Sequence, residues 1–397
     1  MNGRENKKIG GKLLKAVILS VSLVTMINNS VSVVLGNMQE AFPEVSTVKL
    51  QCLLAYPTFS MIIMVLVGGV LVSYLGNKII LLSGLLIYTV SGVMPVFLSD
   101  FNYILLSRLC MGAGLGLVSP LALGLITDFY EGNERVTAMG QQFGVGNFGQ
   151  AAALLSAGIL GAMGWRYSFL IYGSGAVIFF LILFLLPEKE KRKKADGKKG
   201  TVGVNARALC VAGIMGFYNM VYIVMHSNLS LVMTSRHIGT VMTTSYSMTL
   251  MTLISTGAGL IFGKLYEKIR ELVGVMSGLF IAGSFAIMIM ADRPWMVYLS
   301  LAFLGAGNAL IMPFGFYHVT KLCPEGAEKF CLAMTQAFLS VGSFLSPFVV
   351  DGLRRFLSGE GDGFPFWAAL AGMGILNMVL ITYWFVMKRK RLCPCSN

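Results

Sequence analysis

Charged residues are scarce in this chain of 397 residues: Asp, Glu, Lys and Arg together make up 12% of it, and 56% is hydrophobic. Soluble domains carry about 25% charged residues, because polar groups must cover their surface. The shortage of charge therefore excludes a water-soluble protein of this size. A chain embedded in a lipid bilayer remains.

Several chemistry-bearing motifs are also missing. No P-loop, H-E-x-x-H or nucleophile-elbow pattern occurs, which argues against ATP-driven pumping and hydrolysis. Residues 144–149 fit G-x-G-x-x-G, but they lie in an apolar stretch with no preceding strand, so we expect no dinucleotide site. The seven cysteines are odd in number and scattered, which predicts no disulfide framework. Cys393 and Cys395 lack further ligands, so we expect no metal and no cofactor.

Long apolar stretches are what the chain does have. They lack the alternation of a membrane barrel, and only helices satisfy their backbone within one segment, so we predict an all-α membrane protein. A spanning helix needs roughly 20 mainly apolar residues. Twelve stretches qualify as transmembrane helices, near residues 13–36, 48–72, 78–98, 102–127, 136–163, 166–187, 206–234, 241–265, 272–291, 295–320, 329–353 and 364–387.

The basic residues predict an orientation. If the N-terminus is cytoplasmic, the inner segments hold most of the Lys and Arg, including a basic run at 189–199 and another at 388–391. This bias follows the positive-inside rule and accounts for the net charge of +13 without nucleic acid. We therefore expect a multi-pass protein of the cytoplasmic membrane, with both termini cytoplasmic and no nucleic-acid partner.

The chain repeats itself weakly at an offset of about 194 residues. Gly112-Ala-Gly114 returns as Gly305-Ala-Gly307, and the segment 134–143 returns in part as 328–338. Paired halves in an apolar chain are typical of secondary transporters. The repeat predicts an N-terminal six-helix bundle, a linker, a C-terminal six-helix bundle and a cytoplasmic tail, over residues 1–187, 188–205, 206–390 and 391–397 respectively. The Lys-rich linker is either a plain tether or a segment attracted to the membrane surface.

Three motifs resemble those of the major facilitator superfamily. Residues 69–78 read G-V-L-V-S-Y-L-G-N-K against the family pattern G-x-L-x-D-R-x-G-R-K, and residues 263–270, G-K-L-Y-E-K-I-R, form a second copy that keeps an acid and a base. Residues 108–114 match R-x-x-x-G-x-G in the fourth helix. The resemblance implies two pseudo-symmetric six-helix bundles, a transporter rather than an enzyme, and alternating access around a site between the halves. It does not identify a subfamily.

The resemblance also implies a gate on the inner face, in which opposite charges at Glu267 and Lys329 favour the outward-open state. Ser73 replaces the acid of the first motif, so we expect the first half of the gate to be weaker. The predicted gating residues are Gly69, Ser73, Gly76, Lys78, Arg135, Gly263, Glu267, Lys268 and Lys329.

Polar residues within the apolar stretches are candidates for substrate contacts, because polarity at membrane depth is costly. Arg108 keeps its charge and has three interpretations: a structural or coupling role, a direct substrate contact, or snorkelling toward the surface. In this superfamily the first, fourth, seventh and tenth helices line the cavity. The predicted substrate-binding residues are Asn28, Asn29, Arg108, Gln142, Asn147, Tyr218, Asn219, Tyr222, His226, Asn308 and Gln336.

His226 is the candidate for proton coupling. It lies on the seventh helix and changes charge near physiological pH, while Asp128, Asp292 and Asp351 lie near the ends of spans. A buried, neutral, hydrogen-bonded histidine is the alternative.

The sequence thus predicts a secondary transporter of a small solute, with symport, antiport and uniport left open. Multidrug efflux is the alternative within transport: the drug antiporters' G-P-x-x-G-G motif is missing, but 25 Met and 26 Phe could line an apolar pocket. A membrane sensor that binds without transporting is a further alternative. Expected partners are the solute, a proton or other coupling ion, and the lipid bilayer, and we expect a monomer.

Overall fold

The computed structural model describes residues 20–21, 23–25, 27–75, 77–129, 132–185, 206–323, 328–357 and 361–392. Every regular element in these ranges is helical. The chain divides into two compact units, Met1–Gly197 and Lys198–Asn397. The proposed linker 188–205 lies outside the described residues, and the domain boundaries given above stay predictions.

Six α-helices belong to each unit. Three 3₁₀ segments are described in the first unit: Ile27–Val34 leads into α1, Met94–Val96 follows α3, and Trp165–Gly173 leads into α6. The helices are α1 Leu35–Ala41, α2 Thr47–Leu75, α3 Asn77–Val93, α4 Phe101–Phe129, α5 Gly132–Met163, α6 Ser174–Leu185, α7 Ala206–Ser235, α8 Val241–Ile269, α9 Leu272–Ile289, α10 Pro294–Leu322, α11 Glu328–Phe356 and α12 Phe364–Leu392.

The helices confirm the predicted all-α fold of twelve helices. Eleven segments in the described part of the chain are long and apolar enough to cross a membrane. Their lengths follow from the bilayer, since at 1.5 Å per residue the apolar run must cover about 30 Å. The first predicted helix differs in form, because residues 27–34 are 3₁₀ rather than α-helical.

The two units use the same set of helix pairs. In the first unit α4 packs along α2 and α3, and α3 packs on α6. In the second, α10 packs along α8 and α9, and α9 packs on α12. The 3₁₀ segment 27–34 lies on α5 as α7 lies on α11. The weak sequence repeat is therefore a repeat of packing.

Glycines at equivalent positions create these contacts. A Cβ on Gly112 of α4 would collide with the carbonyl of Pro57 on α2, and a Cβ on Gly305 of α10 would collide with the carbonyl of Met251 on α8. All four positions obey the repeat offset. Membrane helices pack through such close approach, because lipid offers no hydrophobic drive for their association.

Candidate functional site

Arg108 is the polar centre of the first unit. It lies two turns into α4 and is fully buried. Its Nε donates to the carbonyl of Leu53 on α2 at 3.1 Å, and one Nη donates to the carbonyl of Asn28 in the 3₁₀ segment at 3.2 Å. The other Nη lies 3.0 Å from the sulfur of Met111. Arg108 thus ties three elements of this unit together.

Aromatic rings complete the surroundings of the guanidinium. Its carbon lies 4.9 Å from the ring centroid of Tyr172 and 5.8 Å from that of Phe169, both in the 3₁₀ segment Trp165–Gly173. The Tyr172 hydroxyl donates to the Asn28 carbonyl at 3.1 Å, so this one carbonyl accepts from two side chains. Carbonyl dipoles and ring faces stabilise a cation without a carboxylate, and Arg108 has this kind of neutral environment.

Acceptor capacity remains beside this centre. Among the described residues, the side-chain oxygen of Asn28 is buried without a hydrogen-bond partner, as are the hydroxyls of Ser30 and Tyr88. The side chain of Asn29 contacts that of Asn28 only weakly, at 3.5 Å. A buried group without a partner is a place where a water or a ligand gains a hydrogen bond. The predicted residues Asn28 and Arg108 therefore belong to one cluster.

The second unit has a different polar centre on α7. The Tyr218 hydroxyl donates to the side-chain oxygen of Asn308 on α10 at 2.7 Å. The Asn219 amide donates to the Leu339 carbonyl at 2.7 Å and to the Ser343 hydroxyl at 2.9 Å, both on α11. The hydrogen-bonding groups of Tyr218 and Asn219 therefore hold α7 to its neighbours.

Tyr222 and His226 continue the stripe along α7. The Tyr222 ring lies 5.9 Å from Tyr218 and 4.9 Å from His226 between centroids. His226 is 4% exposed, and its Nδ1 has no hydrogen-bond partner among the described residues. The stripe thus changes from amides that bind neighbouring helices to aromatic rings and a buried imidazole.

The other predicted contacts are less telling. Asn147 on α5 is half-buried, whereas Gln336 on α11 is exposed. Gln142 lies outside the residues whose side chains are described.

Most of the predicted gate falls outside the described side chains: Gly69, Ser73, Gly76, Arg135 and Lys329. Lys78 is half-buried at the start of α3. Gly263, Glu267 and Lys268 are exposed near the end of α8, where a Cβ on Gly263 would meet nothing within 4 Å. The charge pair of Glu267 with Lys329 stays a prediction.

Sequence reasoning missed a buried acid at the turn between α8 and α9. Glu271 is 5% exposed and follows Arg270, which has a positive φ of 49°. A non-glycine residue in that region is strained, and the turn brings Glu271 inward while its neighbour Glu267 stays out. Glu271 acts electrostatically on His318 and Tyr266. The sequence signal that could have found it is its position, since Glu271 follows the predicted gating residue Glu267 by four residues.

A disulfide is the second departure from expectation. Cys323 at the end of α10 is bonded to Cys331 on α11. The scattered cysteines predicted no such pairing. Spacing along the chain gave no sign of it, because the positions of the end of α10 and the start of α11 decide that the two sulfurs meet.

The family model of the Major Facilitator Superfamily matches residues 17–347. The chain belongs to this superfamily. It is therefore a multi-pass membrane protein and a secondary transporter of a solute, not an enzyme. This confirms the resemblance drawn from the three motifs.

Relatives and solved structures agree with the assignment. This superfamily member is 24% identical over 300 residues to the quinolone resistance protein NorA of Staphylococcus aureus (strain Mu50 / ATCC 700699), covering 72% of this chain and 76% of that protein. Its fold is similar to a bacterial homologue of the human lysosomal transporter Spinster, at a TM-score of 0.76, 14% identity and coverage of 96% and 98%. The nucleoside transporter NupG gives a TM-score of 0.75 at 14% identity, with coverage of 93% and 99%.

Proposed function

We propose that this transporter exports small amphipathic molecules that carry aromatic rings, by alternating access. The observation that carries the proposal is that polar groups of the stripe on α7 are already hydrogen-bonded to neighbouring helices. The Tyr218 hydroxyl is hydrogen-bonded to Asn308, and the Asn219 amide is hydrogen-bonded to Leu339 and Ser343. A sugar-like solute needs many free polar partners, whereas an aromatic solute needs ring faces and one or two polar groups.

The aromatic part of the stripe supports the same substrate class. The rings of Tyr222 and His226 lie 4.9 Å apart between centroids and are tilted by 51°, so they offer ring faces and edges beside one buried ring nitrogen. An aromatic guest gains from offset or edge-to-face contacts with such rings. The similarity to a quinolone resistance protein, at 24% identity over 72% of this chain, supports both an aromatic substrate and outward transport.

An export assay tests this function directly. Proteoliposomes loaded with a fluorescent quinolone, or with a labelled disaccharide as a polar solute, are diluted and the loss of solute is followed. We expect loss of the quinolone alone, and a rate about fivefold lower in Tyr222→Ala, since one aromatic contact contributes about 1 kcal/mol. Tyr246→Ala is the matched control, because Tyr246 is 47% exposed on α8. Loss of the disaccharide alone would contradict the proposal.

His226 is the proposed coupling residue of this cycle. Its imidazole is buried, and a buried site that gains or loses a proton during transport couples the two movements. We expect His226→Gln to abolish accumulation driven by a pH gradient while leaving exchange of labelled for unlabelled substrate intact, because exchange needs no net proton movement. If gradient-driven accumulation survives, His226 is the neutral structural histidine and another ion or residue couples transport.

The proposal includes location and assembly. We take the protein to act as a monomer in the cytoplasmic membrane with both termini inside. The distribution of Lys and Arg supports this orientation of the termini. Arg108 then anchors the first unit rather than binding substrate, in line with its carbonyl partners. The inner gate is proposed to use Glu267 and Lys329.

A further inference from the structure

A cavity lies within the second unit, between α7, α10 and α12. Its volume is about 110 Å³. The walls include Val211 and Met215 from α7, Phe314 and His318 from α10, and Leu376 and Tyr383 from α12. The cavity therefore belongs wholly to one unit, and its lining is almost entirely apolar.

The size of the cavity sets the size of its occupant. An apolar cavity of about 150 Å³ in another protein stays dry and takes up benzene, so a space of 110 Å³ suits one small aromatic molecule rather than a water cluster. Rings already surround it: His318 lies 4.2 Å from Phe314 and 5.4 Å from Tyr383 between centroids. An inserted ring would meet both edges and faces of these neighbours.

His318 gives the cavity one polar contact of defined character. Its Nδ1 lies 2.8 Å from the carbonyl of Phe314, which can only accept, so Nδ1 carries the proton. In the neutral ring Nε2 is then an acceptor. Glu271 and Lys321 also act electrostatically on this imidazole, and the Tyr317 ring meets it edge to face, with 5.4 Å between the ring centroids. A ligand with an N–H or O–H donor is favoured over one without.

We propose that this cavity is a binding site for a small aromatic molecule that donates one hydrogen bond, with its ring against Phe314 and Tyr383 and its donor on Nε2 of His318. The site adjoins one end of the polar stripe on α7, because Tyr218 lines the cavity and also bonds to Asn308 on α10. An occupant therefore lies beside the Tyr218–Asn308 hydrogen bond that joins α7 to α10.

The surrounding helix makes that contact sensitive. Pro313 lies inside α10 at the level of the cavity and removes one backbone hydrogen bond. Gly315, two residues further on, admits the side chain of Met215 so closely that a Cβ there would collide with its sulfur. An occupant of the cavity thus acts where α10 is least constrained by its own backbone.

Binding of indole and indene tests the site, since the two have nearly the same shape and only indole has an N–H donor. Both are measured by equilibrium dialysis against the full-length transporter in lipid nanodiscs, with empty nanodiscs subtracted. We expect indole to bind up to about tenfold more tightly than indene, in line with one net hydrogen bond. In His318→Phe the two should bind equally.

Filling the cavity should remove both ligands. Leu376→Trp on α12 and Val211→Phe on α7 place larger side chains in the cavity from two different helices, so the result does not depend on one variant folding. Met378→Phe on the exposed face of α12 is the matched control. Retention of indole binding in both folded filling variants would overturn the site, as would equal binding of indole and indene to the unaltered protein. Because binding is measured without transport, these outcomes are independent of the export assay.

Discussion

In the first unit the buried polar centre is a permanent cation, Arg108, whereas in the second it is a set of neutral side chains on α7 and α10. Arg108 is held by the carbonyls of Leu53 and Asn28 and by ring faces. Tyr218 and Asn308 hold each other with a single neutral hydrogen bond. The main helix pairs are nevertheless shared: α4 packs along α2 and α3 in the first unit as α10 packs along α8 and α9 in the second.

The difference teaches which unit can rearrange at low cost. A buried guanidinium that leaves its partners keeps its charge, and each hydrogen bond to a charged group contributes about 1.5–3 kcal/mol. Interhelical hydrogen bonds between neutral groups in membranes contribute about 0.6 kcal/mol on average. We infer that the first unit supplies a rigid frame and that substrate-dependent changes of contact occur mainly on α7 and α10.

The largest expected effect concerns the close glycine contacts that the two units share. Gly112→Ala and Gly305→Ala each place a methyl group on a backbone carbonyl of the neighbouring helix. We expect each to lower the free energy of unfolding by about 3 kcal/mol, as overpacking does where the backbone cannot yield. Thermal unfolding of the purified protein followed by tryptophan fluorescence measures this.

Gly263→Ala is the control for both glycine variants, because a Cβ there meets nothing within 4 Å. It should be neutral or slightly stabilising, since alanine favours helix over glycine. If only one of Gly112→Ala and Gly305→Ala lowers the free energy of unfolding, the two units share their packing but the two equivalent contacts contribute unequally to stability.

A somewhat smaller effect is expected at Arg108, the buried cation that distinguishes the first unit from the second. Arg108→Lys keeps the charge but not the geometry that reaches both Leu53 and Asn28, so we expect a loss of about 2 kcal/mol in the free energy of unfolding. Arg355→Lys is the control: its side chain is 81% exposed in an ion pair with Asp351, and surface pairs contribute little. If Arg108→Lys is as stable as the unaltered protein but no longer transports, Arg108 contacts substrate and the proposed division between the units is wrong.

The helices could be predicted from the sequence because membrane spanning is a local property. The length and apolarity of a segment suffice to predict that it spans the membrane. The predicted helix 206–234 thus corresponds to the observed helix Ala206–Ser235, and the predicted helix 241–265 corresponds to Val241–Ile269. Form within a span is less local: the 3₁₀ segment Ile27–Val34 has no distinctive composition and carries the carbonyl that receives Arg108.

Partners within the candidate site could not be predicted. The spacing of Tyr218, Asn219 and Tyr222 placed them along one side of a helix, but the tilt and rotation of neighbouring helices decide that Asn219 meets α11 while Tyr218 meets α10. Glu271 is buried by a positive φ at Arg270. A strained turn of this kind has no signal in composition or periodicity, because arginine is not a residue that favours it.

The smallest effect concerns the neutral contact of the second unit, between Tyr218 and Asn308. In a double-mutant cycle of Tyr218→Phe and Asn308→Ala, we expect a coupling of about 0.6 kcal/mol in the free energy of unfolding, the usual value for such bonds in membranes. Asn219→Ala, paired with the same Tyr218→Phe, is the control cycle, since Asn219 bonds to α11 instead. A coupling above about 2 kcal/mol would make this bond as costly to break as those of Arg108. The second unit would then be as rigid as the first, and rearrangement during transport would have to leave both polar centres intact.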